Sequence, residues 1–165
     1  MIRKEKAMST YGYCRISTAK QSIDRQIRNI KAEYPTAHIV QEAYTGTSIF
    51  RPEWLKLYRI LKSGDMVVFD SVSRMSRNAE EGFALYEDLY HKGIRLVFLK
   101  EHHIDTETYK KALSGSIAMT GTNVDFILKG INEYLMALAK EQIKLAFEQS
   151  EKEVADLHQR TREGL

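Results

Sequence analysis

The chain has 165 residues, long enough to bury a sizeable core in one domain with at most one appended element, and its 43% hydrophobic and 28% charged residues are ordinary for a globular protein. Disorder is therefore not the default, and no stretch approaches the roughly 18 consecutive apolar residues of a membrane span. The charged start, MIRKEKAMSTYGYC, lacks the apolar run of a signal peptide, so a cytoplasmic protein without a membrane partner is expected. The net charge of +3 is uneven along the chain. Residues 1–31 carry Arg3, Lys4, Lys6, Arg15, Lys20, Arg25, Arg28 and Lys31 against Glu5 and Asp24, which is +6, whereas residues 140–165 carry five basic and six acidic residues, which is −1. An anion is expected at the N-terminal end, and a wholly basic DNA-coating tail is excluded.

Short apolar runs alternate with helical patterns, which predicts an α/β fold: a mainly parallel sheet of about four strands with flanking helices. The strands are expected over Tyr11–Arg15, Ile39–Tyr44, Met66–Asp70 and Ile94–Leu99. Ile23, Ile27, Ile30 and Tyr34 mark one face of a first helix that Pro35 ends. Pro52 opens a second helix carrying Trp54, Leu57, Tyr58 and Leu61, and a third runs from Asn78 to His91 with Phe83, Tyr86, Leu89 and Tyr90 inward and Gly93 as its stop. These elements form an α/β body over residues 1–113.

Residues 114–122 are rich in small and turn residues and are expected to be a mobile connection. Thr122 to Asp125 has capping-box spacing, and the following segment predicts a helix of up to about 40 residues, roughly 60 Å long. This long C-terminal helix occupies residues 123–165. Its first half, with Phe126, Ile127, Ile131, Tyr134, Leu135, Leu138, Ile143 and Phe147, is expected to bury a face against a partner; some of that face can pack on the α/β body, and a second copy in a two-fold dimer is expected to cover the remainder. Its second half keeps only scattered apolar positions such as Val154 and Leu157 and is expected to project into solvent or along a ligand. The alternative is a helix folded back by a break near Gln142.

Chemistry points to the strand ends. Ser17 follows the first strand, where parallel sheets bind ligands, and alternation puts Tyr13 and Arg15 on one face with Cys14 on the other. Taken alone, Ser17 and Ser22 read as turn or capping residues for the next helix, and it is their surroundings that change this. The neighbouring strand-end loops supply Arg51, Arg74 and Arg77, and a guanidinium is a planar, permanently charged fork matched to phosphate. Four such groups around a serine suit a phosphodiester whose charge grows in the transition state; without the serine they read as a solvated charged face. No histidine lies near Ser17 in sequence, His102 and His103 are adjacent rather than spaced as metal ligands, and Gly12 begins no nucleotide-binding motif. Neither a metal nor a cofactor is expected. Cys14, the single cysteine, is expected to be buried and structural.

YGYCRISTAKQSIDRQ resembles the signature of the resolvase/invertase family of serine recombinases; TGTSIFRPEW resembles the family's second motif and SRMSRN its third. The resemblance implies that Ser17 is the nucleophile, forming a 5′-phosphoserine bond with DNA and freeing a 3′-hydroxyl. It assigns phosphate activation to Arg15, Arg51, Arg74 and Arg77 and supporting positions to Tyr13 and Gln26. It also implies double-stranded DNA as substrate, dimers that assemble to a tetramer, and a DNA-binding segment continuing past RTREGL in many relatives. One position departs: many members carry Asp before the first arginine of the third motif, where this chain has Ser73. Asp70 and Asp24 are the nearest candidate replacements, and neither is assigned the role. Two rivals come from other classes: a catalytically silent DNA-binding or assembly module, and a phosphate-binding regulatory α/β domain, which leaves the long helix without a purpose.

Overall fold

The computed structural model describes residues 8–16, 23–43, 51–76, 78–114 and 117–162, with side chains as far as Lys152. Four strands, β1 (Thr10–Arg15), β2 (His38–Glu42), β3 (Met66–Phe69) and β4 (Arg95–Phe98), form one parallel sheet in the order β2-β1-β3-β4. They lie where the apolar runs predict them, shifted by a residue or so at their ends; Tyr44 lies outside the described residues. The helices of the body are α1 (Asp24–Glu33), α2 (Pro52–Ile60), the short α3 (Val72–Met75), α4 (Ala79–His91) and α5 (Thr106–Ser114).

Period-two alternation splits the core. Cys14, Val68 and Val97 face α1 and its Ile30, while Tyr13, Val67, Phe69, Leu96 and Phe98 face the layer built by α2 and α4. Cys14 is fully buried, as expected. Asn78 caps α4 through its side chain, which accepts from Glu81 N–H at 3.0 Å. Gly93, at φ +78°, ends it in a Schellman arrangement: Ile94 N–H donates to Leu89 O and Gly93 N–H to Tyr90 O, both at 3.0 Å.

The long helix, α6 (Asp125–Arg162), is continuous through Gln142, so no fold-back occurs there. One expectation about it is corrected. Ile143 (2% exposed) and Phe147 (1%) do not wait for a partner chain; they enter the core of their own body beside Phe98. Ala139, Ile143, Ala146 and Phe147 form the helical stripe that docks, and it fits because Gly82 on α4 has no side chain: a Cβ there would lie 2.5 Å from the Phe147 ring. Lys140 pairs with Glu87 at 3.6 Å, and Glu151 accepts the N–H of Ala79, the first residue of α4, at 3.0 Å. Before this stripe the helix is uncovered, with Phe126 85%, Ile127 66% and Tyr134 65% exposed. The segment before α6 is bonded to it: Asn132 exchanges two hydrogen bonds with the main chain of Ile117, and Asp125 accepts from Thr120 and Gly121 N–H. Of the capping-box pair, Thr122 Oγ accepts from Val124 N–H, while the Asp125 carboxylate reaches back past it to residues 120 and 121.

The connection after β4 is more structured than its sequence suggests. A 3-10 turn (His102–Ile104) leads into α5, and these cover the open edge of β4 with side chains. Asp105 Oδ1 accepts Phe98 N–H at 2.7 Å, and Thr106 Oγ1 accepts Leu96 N–H at 2.9 Å. A sheet edge so occupied offers no template for another strand. No helix among the described residues is long and apolar enough to cross a membrane.

Candidate active site at the carboxyl edge of the sheet

In the order β2-β1-β3-β4 the chain winds one way from β1 to β2 and the other way from β3 to β4, so the switch point lies between β1 and β3. The residues leaving the carboxyl ends of those two strands are Arg15–Ser17 and Asp70–Arg77, two of the three motif regions singled out in the sequence. Ser17 and Arg77 lie outside the described residues.

Arg15, 8% exposed, closes β1. Gln26, buried on α1, clamps its main chain from both sides: Arg15 N–H donates to Gln26 Oε1 at 3.1 Å and Gln26 Nε2 donates to Arg15 O at 2.8 Å. The backbone two residues before Ser17 is thereby fixed. Three arginines then meet main-chain carbonyls around one turn. Arg15 Nη2 donates to Ser73 O and Arg51 Nη1 to Met75 O, each at 2.5 Å, and Arg74 Nη1 donates to Arg15 O at 3.1 Å. Arg51 can do this because it precedes α2 as its N-terminal cap, carried there by Pro52 at the first turn. Arg15, Arg51 and Arg74 come from three separate segments, and tertiary structure brings them together.

Tyr13 packs its ring against Trp54 and Phe69 and donates its hydroxyl to Glu42 Oε2 at 3.2 Å. Burial, and then the Glu42 carboxylate, hold this phenol above the ordinary tyrosine range, so it stays a donor. Glu42 is a residue the sequence reading missed. It is 3% exposed at the end of β2 and also accepts Trp54 N–H at 2.8 Å and Glu53 N–H at 3.4 Å, which ties the start of α2, and so Arg51, to the sheet. Its only signal was an acid at a strand end, two residues after the apolar pair Ile39 and Val40.

The two aspartates weighed as replacements for the missing third-motif carboxylate sit elsewhere. Asp70, 2% exposed, accepts from Asn29 Nδ2 at 2.9 Å and pairs with Lys100 at 3.4 Å. Asp24 is the exposed first residue of α1. Ser73, the departing position, shares a hydrogen bond with Ser71 through their hydroxyls at 2.7 Å. Among the described residues, a carboxylate that does reach this turn is that of Glu101, beyond β4, which accepts Val72 N–H at 3.1 Å. His102 pairs with Asp105 at 2.7 Å, a bond that raises its pKa, and among the described residues no group of His, Cys, Asp or Glu is placed to hold a metal ion.

The family model described as Resolvase, N terminal domain, matches residues 10–155. The Transposon Tn21 resolvase of Escherichia coli is 26% identical over 159 residues, covering 93% of this chain and 83% of the relative. A resolvase of Clostridium perfringens is 32% identical over 97 residues, 58% of this chain and 51% of that protein, so the match spans about half of its length. A crystal structure of a resolvase family site-specific recombinase from Streptococcus pneumoniae aligns over 94% of this chain and 99% of its own, with 20% identity and a TM-score of 0.47.

Proposed function

The chain belongs to the family of the resolvase N-terminal domain, matched over residues 10–155, and from that premise we propose that it is a site-specific DNA recombinase whose nucleophile is Ser17. The Ser17 Oγ attacks phosphorus, the bond from phosphorus to the 3′-oxygen breaks, the serine proton is lost, and the freed 3′-oxygen gains one. The DNA 5′ end is left as a phosphoserine ester. Because that ester conserves the energy of the broken bond, attack by a new 3′-hydroxyl reseals the strand and restores the serine. Arg15, Arg51, Arg74 and Arg77 stabilise the charge that builds on the phosphate. Gln26 and Tyr13 hold the platform. A double-stranded DNA substrate fits a cytoplasmic location.

The observation that carries this reading is the convergence of Arg15, Arg51 and Arg74 on one turn at the sheet's switch point, with the main chain leading to Ser17 clamped by Gln26. A module that only bound DNA would gain nothing from arginines so fixed; their order suits a transition state. The test uses double-stranded DNA taken from the sequences that flank the gene. Wild-type protein should be trapped on 5′ ends, and Arg15→Ala or Arg74→Ala should slow cleavage by on the order of 10² with little change in DNA affinity. Parallel loss of affinity and cleavage would make these side chains ordinary phosphate clamps, and DNA binding without any cleavage would leave the silent module as the better reading.

Exchange between two duplexes needs four such sites, so dimers that pair into a tetramer belong to the same proposal. The uncovered face of α6, with Ile131, Tyr134, Leu135 and Leu138, is the surface assigned to the two-fold contact. Sedimentation should show a dimer that Leu135→Glu with Leu138→Glu converts to a folded monomer; a wild-type monomer well above micromolar concentration would remove that assignment.

A further inference from the structure

We infer that Glu101 is a positioning residue for the arginine cluster, acting through α3; the inference rests on the recombinase reading above for its consequence in catalysis. The starting point is the weakness of α3 itself. A single turn of four residues leaves its end groups without helical partners and has no stability of its own. Both ends are satisfied from outside. At its start, Val72 N–H donates to Glu101 Oε2 at 3.1 Å, and Ser71, the residue before it, offers no side-chain cap. At its end, the carbonyls of Ser73 and Met75 accept Arg15 and Arg51. The turn is thus a connector, with a carboxylate at one end and two guanidiniums at the other, the polarity that a helix dipole favours. It also carries Arg74.

Glu101 is well placed to set the connector's position. Its own main chain is fixed at the exit of β4: Glu101 N–H donates to Phe98 O at 3.1 Å and Ile104 N–H to Glu101 O at 3.0 Å. Asp105 in turn anchors Phe98 N–H. Val72 is 1% exposed, so the fixed carboxylate rather than bulk water satisfies its N–H, and a water admitted by removing the side chain would not hold the turn in one position. The turn would then shift or fray, and the carbonyls that hold Arg15 and Arg51 would move with it. Displacements near 1 Å in such a constellation cost up to about a hundredfold in rate.

The experiment compares wild type, Glu101→Ala and Glu101→Gln in the full chain by two readouts: the rate of adduct formation on DNA from the sequences that flank the gene, and the side-chain Nε–H NMR signals of Arg15, Arg51 and Arg74 in the free protein. Glu101→Ala should slow adduct formation by about tenfold to a hundredfold, with DNA affinity within twofold, and should collapse the dispersed arginine signals toward the position of a free side chain. Glu101→Gln keeps an acceptor oxygen in place and should restore most of both. Should Glu101→Ala fail to fold, Glu101→Asp, one methylene too short to reach Val72, carries the same expectation. A wild-type rate with unchanged signals in Glu101→Ala, or no rescue by Glu101→Gln, would overturn the proposal. If the wild type itself forms no adduct, the recombinase reading fails and the arginine signals alone decide the role of Glu101.

Discussion

Two stretches of α6 carry apolar side chains at helical spacing and end in opposite surroundings. Ile143 and Phe147 are buried in the core of their own body, whereas Phe126, Ile127 and Tyr134, a few turns earlier, stand in solvent. What separates them is the facing surface. The later stretch meets Gly82, where a missing side chain lets a phenyl ring seat against α4; along the earlier stretch Asn132 and Asp125 hold the main chain of Ile117, Thr120 and Gly121, and the large apolar side chains stay exposed. Periodicity announces that a face is to be covered. It does not say by what.

The comparison can be broken most forcefully at its buried end. Phe147→Ala should cost about 3–5 kcal/mol in chemical unfolding, since it empties a packed site, while Phe126→Ala should lie within about 0.5 kcal/mol of wild type at concentrations where the chain is a monomer. Equal costs would mean that the two stretches are not distinguished as described. A smaller effect is expected from the other side of the contact: Gly82→Ala places a methyl 2.5 Å from the Phe147 ring and should destabilise by about 1–3 kcal/mol, with α6 undocking seen as loss of amide-exchange protection around Ile143. Retained protection and stability would show that the fit is looser than its geometry.

The smallest effect belongs to the exposed end and depends on pH. Hydrogen bonds from Thr120, main chain first, and from Gly121 hold the Asp125 carboxyl below the ordinary carboxylate range. A group with a depressed native pKa contributes fully above its unfolded pKa, about 3.9, and loses that contribution as pH falls through the lower native value. The amide signals of Thr120 and Gly121 should therefore shift together at acidic pH below the usual aspartate midpoint, with the core around Phe147 unaffected. A transition centred at or above that midpoint would contradict the bonding described.

Much of this molecule was legible because its signals are local. The four strands, α1, α2, α4 and the length of α6 follow from periodicity, Pro52 and Gly93, and the motifs located the arginine-bearing turns. Three features were not legible, each for a physical reason. The short turns α3 and His102–Ile104 span too few residues to show a period. Glu42 and Glu101 act on groups 29 residues away in sequence, so their worth appears only when Tyr13 and Val72 are brought to them. The docking of Ile143 and Phe147 depended on Gly82, which reads in sequence as a blemish in a helix and in space as the seat for a ring. Arg15, Arg51 and Arg74 were singled out as a group from their motifs, yet the carbonyls that hold them could not be, because main-chain acceptors leave no trace in side-chain identity.

The central claim is that Ser17 becomes joined to DNA. The most direct measurement is peptide mapping by mass spectrometry of the trapped complex after nuclease trimming and trypsin digestion. The account predicts a nucleotide, linked through its 5′-phosphate, on the peptide Ile16–Lys20, at Ser17, and its absence from the Ser17→Ala protein. A 5′-phosphate linkage on any other residue, or an undiminished adduct in Ser17→Ala, would contradict it.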